Sequence, residues 1–138
     1  MKNLLAILLL TLLSCNSNRV ITIAQLPSGT KLIGILNKDQ KPDLISANFN
    51  LLNLSIQEDY LKLNVTYGGG CRSHEFHAYL KQKSQDTITI GIIHNANDDP
   101  CRALLEETIW FDLSTMQEKK KSSLYVKVLD KKSLYQYK

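Results

Sequence analysis

The strongest constraint on the fold is a strict alternation of apolar and polar residues between positions 61 and 67. The apolar members are Leu61, Leu63, Val65 and Tyr67. In an extended chain these side chains share one face, so one face is buried and the other is solvated, which is typical of antiparallel strands. A second segment, Thr87–His94, is apolar on both faces and predicts a central strand.

Similar short runs recur along the chain, separated by turn-forming residues such as Pro27-Ser28-Gly29 and Lys41-Pro42-Asp43. The predicted strands are Val20–Ala24, Lys31–Asn37, Ala47–Gln57, Tyr60–Tyr67, His74–Lys81, Thr87–His94, Thr108–Leu113, Leu124–Leu129 and Leu134–Tyr137. Strands at this spacing predict an all-β fold, an antiparallel, immunoglobulin-like β-sandwich of about seven to nine strands. A small closed barrel is the alternative.

One segment allows two interpretations. Asp98-Asp99 followed by Pro100 is typical of a helix start, because Asp caps a helix and Pro suits its first position. The same residues could form a turn that feeds the strand at Thr108–Leu113. We expect at most one short helical turn in the fold.

Residues 1–14 differ from the rest of the chain. Lys2 is followed by Leu4–Leu13, an apolar run broken only by Thr11. Ten residues are too few to span a bilayer as a helix but match the apolar region of a signal peptide. We therefore predict a lipoprotein signal peptide over residues 1–14, a lipidated tether over residues 15–19 and one domain over residues 20–138.

The end of this run, Leu12-Leu13-Ser14-Cys15, resembles the lipobox of bacterial lipoproteins. The resemblance implies cleavage before Cys15 and diacylglycerol and acyl groups, palmitate among them, on that residue. It also implies a protein of the bacterial cell envelope, membrane-anchored through the lipid and either periplasm-facing or on the outer membrane, where an envelope protein could be its partner. The alternative is an ordinary signal peptide with a chance cysteine.

The C-terminal segment is basic. Residues 118–138 hold seven lysines against Glu118 and Asp130. Such a segment can lean on an anionic membrane surface, or it can simply be a solvated turn and edge strand. The segment lacks the aromatic interleaving or the module of a nucleic-acid binder, so we expect no nucleic acid among the partners.

Two cysteines remain once Cys15 is lipidated. An even pair in an exported chain predicts a disulfide between Cys71 and Cys101, which would close a loop of about 30 residues and contribute roughly 3–4 kcal/mol. Three glycines, Gly68-Gly69-Gly70, stand directly before Cys71 and predict a bulge or a tight corner.

Histidines beside the cysteines allow a second interpretation. Cys71, His74, His94 and Cys101 could bind zinc or copper, whereas His77 would point to the opposite face of a strand from His74.

A third interpretation is a Cys-dependent hydrolase with a free Cys71 or Cys101. We favour no metal, no cofactor and no catalytic residue, hence a non-catalytic binding or structural module. In that case His74 hydrogen-bonds a backbone carbonyl at the glycine corner, and His94 caps the loop at Asp98-Asp99.

These residues carry a family resemblance. Gly-Gly-Cys-x2-His at 69–74, His-x6-Cys at 94–101 and Ile-x-Phe-x-Leu at 109–113 resemble a group of small uncharacterised lipoproteins of Bacteroidota. More distantly, residues 58–130 are similar to the C-terminal β-sandwich of NigD-like lipoproteins. The group has no assigned activity, so the resemblance implies a fold, an envelope location and a structural pairing of Cys71 with Cys101.

Overall fold

The computed structural model describes residues 32–137, and it places eight strands in them. The strands are β1 (Leu32–Leu36), β2 (Asn50–Gln57), β3 (Tyr60–Gly69), β4 (Glu75–Lys83), β5 (Thr87–Asn95), β6 (Ala103–Asp112), β7 (Ser123–Val128) and β8 (Lys131–Gln136). Single 3₁₀ turns occupy Lys38–Gln40 and Ser114–Met116. The predicted signal peptide, the tether with Cys15 and the strand Val20–Ala24 lie outside the described residues.

The first strand joins the two layers of the sandwich. Residues Leu32–Gly34 of β1 pair in parallel with β6, whereas Ile35 and Leu36 pair in parallel with β4. One layer therefore runs β2-β3-β6-β1, and the other runs β1-β4-β5-β7-β8. The five residues of β1 connect the two layers along one side of the sandwich, and β2 and β8 approach each other on the opposite side.

The core lies between the facing sides of the two layers, where every second residue of each strand points inward. In β3 this side carries Leu61, Leu63 and Val65, none of which is exposed. The alternation that predicted this strand is thus the alternation of its burial. The inward residues of the other strands include Phe76, Ala78, Ile88, Ile90, Ile109, Phe111, Leu124, Val126, Val128 and Tyr135.

The predicted all-β sandwich is confirmed, with a strand count inside the predicted range. Four pairings within residues 32–137 are antiparallel, and three short ones, β1–β4, β1–β6 and β5–β7, are parallel. Alternation shows which face of a strand is buried but not which neighbour it pairs with, so the sequence could not reveal the parallel pairings.

The helix start considered at Asp98 does not form. The chain turns there and β6 begins at Ala103, earlier than the predicted Thr108, because β3 pairs with it over ten residues from Gly69 to Tyr60. The two 3₁₀ turns lie elsewhere in the chain. Residues 32–137 thus hold two short helical turns, whereas the sequence predicted at most one. Within residues 32–137 no helix has the length and apolar character needed to cross a membrane.

Candidate functional site

The residues singled out by the sequence meet at one end of the sandwich. Residues 70–74 cross from β3 to β4, and residues 96–102 cross back from β5 to β6. Since Gly69 pairs with Ala103 and Glu75 pairs with Asn95, the two crossings lie side by side. Each crossing connects one layer to the other, so contacts between them hold the layers together at this end.

Asp99 is the centre of these contacts. Its Oδ2 accepts hydrogen bonds from the backbone amides of Gly70, Cys71 and Arg72, at 2.9, 3.0 and 2.9 Å. Its Oδ1 accepts one from the amide of Cys101 at 2.8 Å, an Asx turn that directs the chain into β6. The side chain has no exposed surface. One carboxylate therefore shapes both crossings.

The charge on this carboxylate is stabilised by its donors. Burial alone would raise the pKa of Asp99, but the amides of Cys101, Arg72 and Cys71 and the ring of His74 together outweigh burial. They hold the pKa well below its usual range. Asp99 is therefore a carboxylate at neutral pH, and it presents a negative charge to His74.

A chain of contacts runs from Asp99 through both histidines. Nε2 of His74 lies 3.0 Å from Oδ2 of Asp99, and Nδ1 of His74 lies 2.7 Å from Nε2 of His94. Nδ1 of His94 lies 3.3 Å from the carbonyl oxygen of Asn48. We call Asp99, His74 and His94 the Asp–His–His network. Both rings are buried, with 2% of the His74 side chain and 1% of His94 exposed.

Counting hydrogens limits how the network can share its protons. The partners at its two ends, the Asp99 carboxylate and the Asn48 carbonyl, can only accept, so three N–H groups are needed for three hydrogen bonds. Two neutral imidazoles supply only two. With both imidazoles neutral, two of the three contacts are hydrogen bonds at any moment, and the contact to Asn48 is the longest of the three.

Of the two rings, His94 is the one that burial holds neutral. Burial, with the nearby His74 ring, lowers the pKa of His94, although hydrogen bonds to the carbonyls of Asn48 and Ala47 and the charge of Glu107 act the other way. A neutral ring carries one hydrogen, on Nδ1 or on Nε2, so His94 can donate either to Asn48 or to His74.

Aromatic rings enclose the network. The ring of Phe76 stacks on His94 at 4.5 Å between centroids with an interplanar angle of 4°, and the ring of Tyr67 lies 4.6 Å from His74 and 4.7 Å from His94. The hydroxyl of Tyr67 donates to Glu107 at 2.6 Å. Burial and this hydrogen bond raise the pKa of Tyr67. The aromatic rings shield the two histidines from solvent, so the histidines make their hydrogen bonds within the protein.

The two cysteines of the site are joined. The structure contains a disulfide between Cys71 and Cys101 with a Cα–Cα separation of 5.7 Å, in the usual range for such bonds. The sulfurs are then not available for the tetrad with His74 and His94, whose ring nitrogens point at each other and at Asp99. This geometry supports the disulfide over the zinc or copper alternative, which stays a prediction.

The three glycines have separate roles. A Cβ on Gly69 would lie 2.3 Å from Nε2 of His74 and 3.1 Å from Oδ2 of Asp99, so the bare backbone lets the network approach β3. Gly70 has a φ of 119°, which a residue with a side chain rarely adopts. A Cβ on Gly68 would meet nothing within 4 Å. The predicted corner therefore depends on Gly69 and Gly70.

The structure reverses the expected roles of the two histidines. His94, not His74, contacts a backbone carbonyl, and His74, not His94, contacts the loop at Asp99. His77 lies apart from the network, on the other side of β4, with Nε2 at 3.7 Å from Glu75. Asp99 itself was not predicted as a site residue. An Asp two residues before a predicted disulfide cysteine was the signal that could have identified it.

Acidification is expected to destabilise the protein through His94. Because the pKa of His94 is lowered on folding, below pH 6.5 the unfolded chain binds a proton at His94 that the folded chain does not. The free energy of unfolding should therefore fall as the pH falls below 6.5, by at most about 1.4 kcal/mol per pH unit from this residue. Urea titrations at pH 7.5 and pH 5.5 measure the change.

The matched controls are His94→Gln, which removes this contribution, and His77→Gln, which leaves the network intact. We expect a smaller loss between the two pH values in His94→Gln and a wild-type loss in His77→Gln. Imidazole ¹⁵N spectra at neutral pH should show His94 as a neutral ring, with hydrogen on one nitrogen only. Equal losses in all three proteins would contradict the assignment.

Comparisons with known proteins agree on the fold. The family described as the NigD-like C-terminal beta sandwich domain matches residues 32–137. A solved structure of a NigD-like immunity protein from Bacteroides caccae superposes with a TM-score of 0.57 at 14% identity, over 72% of this chain and 51% of that one. A protein of unknown function from Bacteroides vulgatus gives a TM-score of 0.54 at 16% identity, over 79% of this chain and 56% of that one.

The chain thus spans just over half the length of these two structures. No match was found among curated proteins. The similarity to NigD-like domains that the sequence suggested over residues 58–130 is confirmed, and the match extends it to residues 32–137.

Proposed function

Because the chain belongs to the family of NigD-like C-terminal β-sandwich domains, we propose that it is a lipid-anchored, non-catalytic binding module of the bacterial cell envelope. One observation carries the non-catalytic part. The side chains of the site with catalytic potential serve one another: Asp99 and His74 are 0% and 2% exposed, and the cysteines are bonded. A reacting group must touch its substrate, and these groups instead fasten two loops.

The anchor is supported by the sequence before the described residues. Leu12 and Ser14 stand where the lipobox has them, and Cys15 follows at once. A diacylglyceryl group and a further acyl chain on one residue supply the two or more chains that stable membrane attachment needs. An exported location also suits a structural disulfide, since such bonds persist outside the reducing cytosol.

The proposed partner is another envelope protein. One structural neighbour is described as a NigD-like immunity protein, and we propose the same broad activity, recognition of a protein partner, for this chain. The loops and strand edges of the sandwich would present the binding surface, because the interior is occupied by the core and by the Asp–His–His network.

Mass spectrometry of the protein purified from its membrane fraction tests the anchor. We expect a mature chain that begins at Cys15 and is heavier than its sequence by a diacylglyceryl group, with or without an additional acyl chain. Cys15→Ser should abolish the added mass and release the protein from the membrane fraction. A chain that still begins at Met1, or an unmodified Cys15, would contradict the proposal.

Catalysis is tested with the same material. Alkylation before reduction should label neither Cys71 nor Cys101, since both sulfurs are bonded. A rapidly alkylated thiol at either position would instead favour a Cys-dependent hydrolase, and two free thiols that retain zinc or copper would favour the metal site.

A further inference from the structure

The hairpin of β7 and β8 has an unusual outer face. Lys127 stands directly opposite Lys132, and Tyr125 stands directly opposite Leu134. Leu129 occupies the turn between the strands. Exposure is 54% for Leu129, 43% for Leu134 and 38% for Tyr125. We call these five residues the hairpin face.

Two features of this face oppose folding. Like charges on directly paired residues of neighbouring strands are destabilising, and Lys127 and Lys132 are such a pair. Leu129 has a φ of 52°, a left-handed conformation that two-residue turns usually give to Asn, Asp or Gly. A leucine there is strained and also exposed. Sequence choices that work against the fold are expected where a surface serves another purpose.

Edge protection does not account for the face. Lysines on a terminal strand such as β8 discourage pairing with other sheets, and Lys132 could have this role. The nearby apolar residues would work against it, because exposed Leu129, Leu134 and Tyr125 favour association. Basic and apolar groups mixed at this spacing suit a surface that is itself both anionic and apolar.

We propose that the hairpin face docks on an anionic phospholipid bilayer, with Leu129 entering the headgroup layer and Lys127 and Lys132 contacting lipid phosphates. Leu129 is at the tip of the hairpin and can reach deepest. Nζ of Lys132 lies 3.8 Å from the centroid of the Tyr125 ring, an arrangement that places charge and aromatic surface at one level. Aromatic rings favour that interfacial level in membranes.

Docking rests on the proposed lipid anchor, which would bring the face to the membrane. Sixteen residues lie between Cys15 and Leu32. Fully extended, they could span at most about 60 Å, so the anchor confines the domain to a thin layer above the bilayer. Confinement raises the effective concentration of the face at the lipid surface, and a weak intrinsic affinity then suffices for docking.

Vesicle sedimentation tests the face without the anchor. The protein is the chain from residue 15 onward with Cys15→Ser, so that no acyl group contributes. We expect binding to vesicles of phosphatidylglycerol and phosphatidylethanolamine and little binding to phosphatidylcholine alone. Lys127→Gln with Lys132→Gln should weaken binding about 30-fold, because each lysine near an anionic surface strengthens it about five-fold.

A second pair of lysine substitutions distinguishes the contribution of the hairpin face from the effect of net charge. Lys119→Gln with Lys120→Gln removes the same charge from the exposed segment before β7, away from the hairpin tip, and should weaken binding much less. Equal weakening by the two pairs would overturn the proposal, as would equal binding to both kinds of vesicle or absence of binding. The anchor is judged by mass spectrometry, so the two results stay independent.

Leu129→Asn separates docking from folding. Asn tolerates the left-handed conformation, so the thermal midpoint should rise or stay level. Binding to anionic vesicles should nevertheless weaken several-fold, because the apolar tip is lost. A purely structural role predicts that stability and binding change together. Unchanged binding by this variant would overturn the insertion of Leu129.

Discussion

Loss of the disulfide between Cys71 and Cys101 is expected to lower the free energy of unfolding by about 3–4 kcal/mol. The bond closes a loop of 30 residues that contains the whole hairpin of β4 and β5. Without it, the unfolded chain gains conformational freedom that folding must then remove. Urea titration of the double variant Cys71→Ala, Cys101→Ala measures the loss, and the thermal midpoint should fall by roughly 15–20 °C.

Reduction supplies the control. A reductant should destabilise the wild-type protein to a similar extent and leave the double variant unchanged, because the variant has no bond at this site to break. Wild-type protein that is fully oxidised yet equally stable after reduction would contradict the structural role of the bond. It would also weaken the view that the two crossings depend on a covalent link.

The second large effect is expected from a single methyl group. Gly69→Ala should lower the free energy of unfolding by about 2–3 kcal/mol, because the new Cβ would lie 2.3 Å from Nε2 of His74. That atom cannot yield without breaking its 3.0 Å hydrogen bond to Asp99. Thermal and urea unfolding give the loss, and the imidazole spectra of His74 and His94 report whether the network shifts.

The neighbouring glycine is a matched control. A Cβ on Gly68 would meet nothing within 4 Å, and this residue is also in β3. Gly68→Ala should therefore be neutral or stabilise the protein by up to about 1 kcal/mol, since it restricts the unfolded chain. Similar losses in the two variants would show that the network does not depend on the close approach of Gly69.

The strands that the sequence predicted best are those whose pattern matches their burial. In β3, local alternation and the buried face coincide, so Leu61, Leu63 and Val65 identify the core without knowledge of any partner. The first half of β6 lacks such a signal, because Ala103, Leu104 and Glu106 are all exposed. It is a strand only because β3 pairs with it, and that pairing is a tertiary property.

The candidate site, too, was predicted only in part from the sequence. The cysteine pair followed from counting, since lipidation of Cys15 leaves two. Asp99 did not follow, because an Asp in a polar loop is typical of solvated surface. Its burial depends on amides of Gly70, Cys71 and Arg72 that come 27–29 residues earlier. The roles of His74 and His94 were exchanged for a related reason: ring direction is set by neighbours in space.

The position of β1 has a mechanical consequence. A force applied at Leu32 acts first on this strand, which pairs with β6 over Leu32–Gly34 and with β4 at Ile35 and Leu36. A pull along the strand axis loads both ladders in shear, so their hydrogen bonds share the force instead of opening one by one. A pull across the axis peels β1 away from one end. Resistance to force should therefore depend on the direction in which Leu32 is pulled.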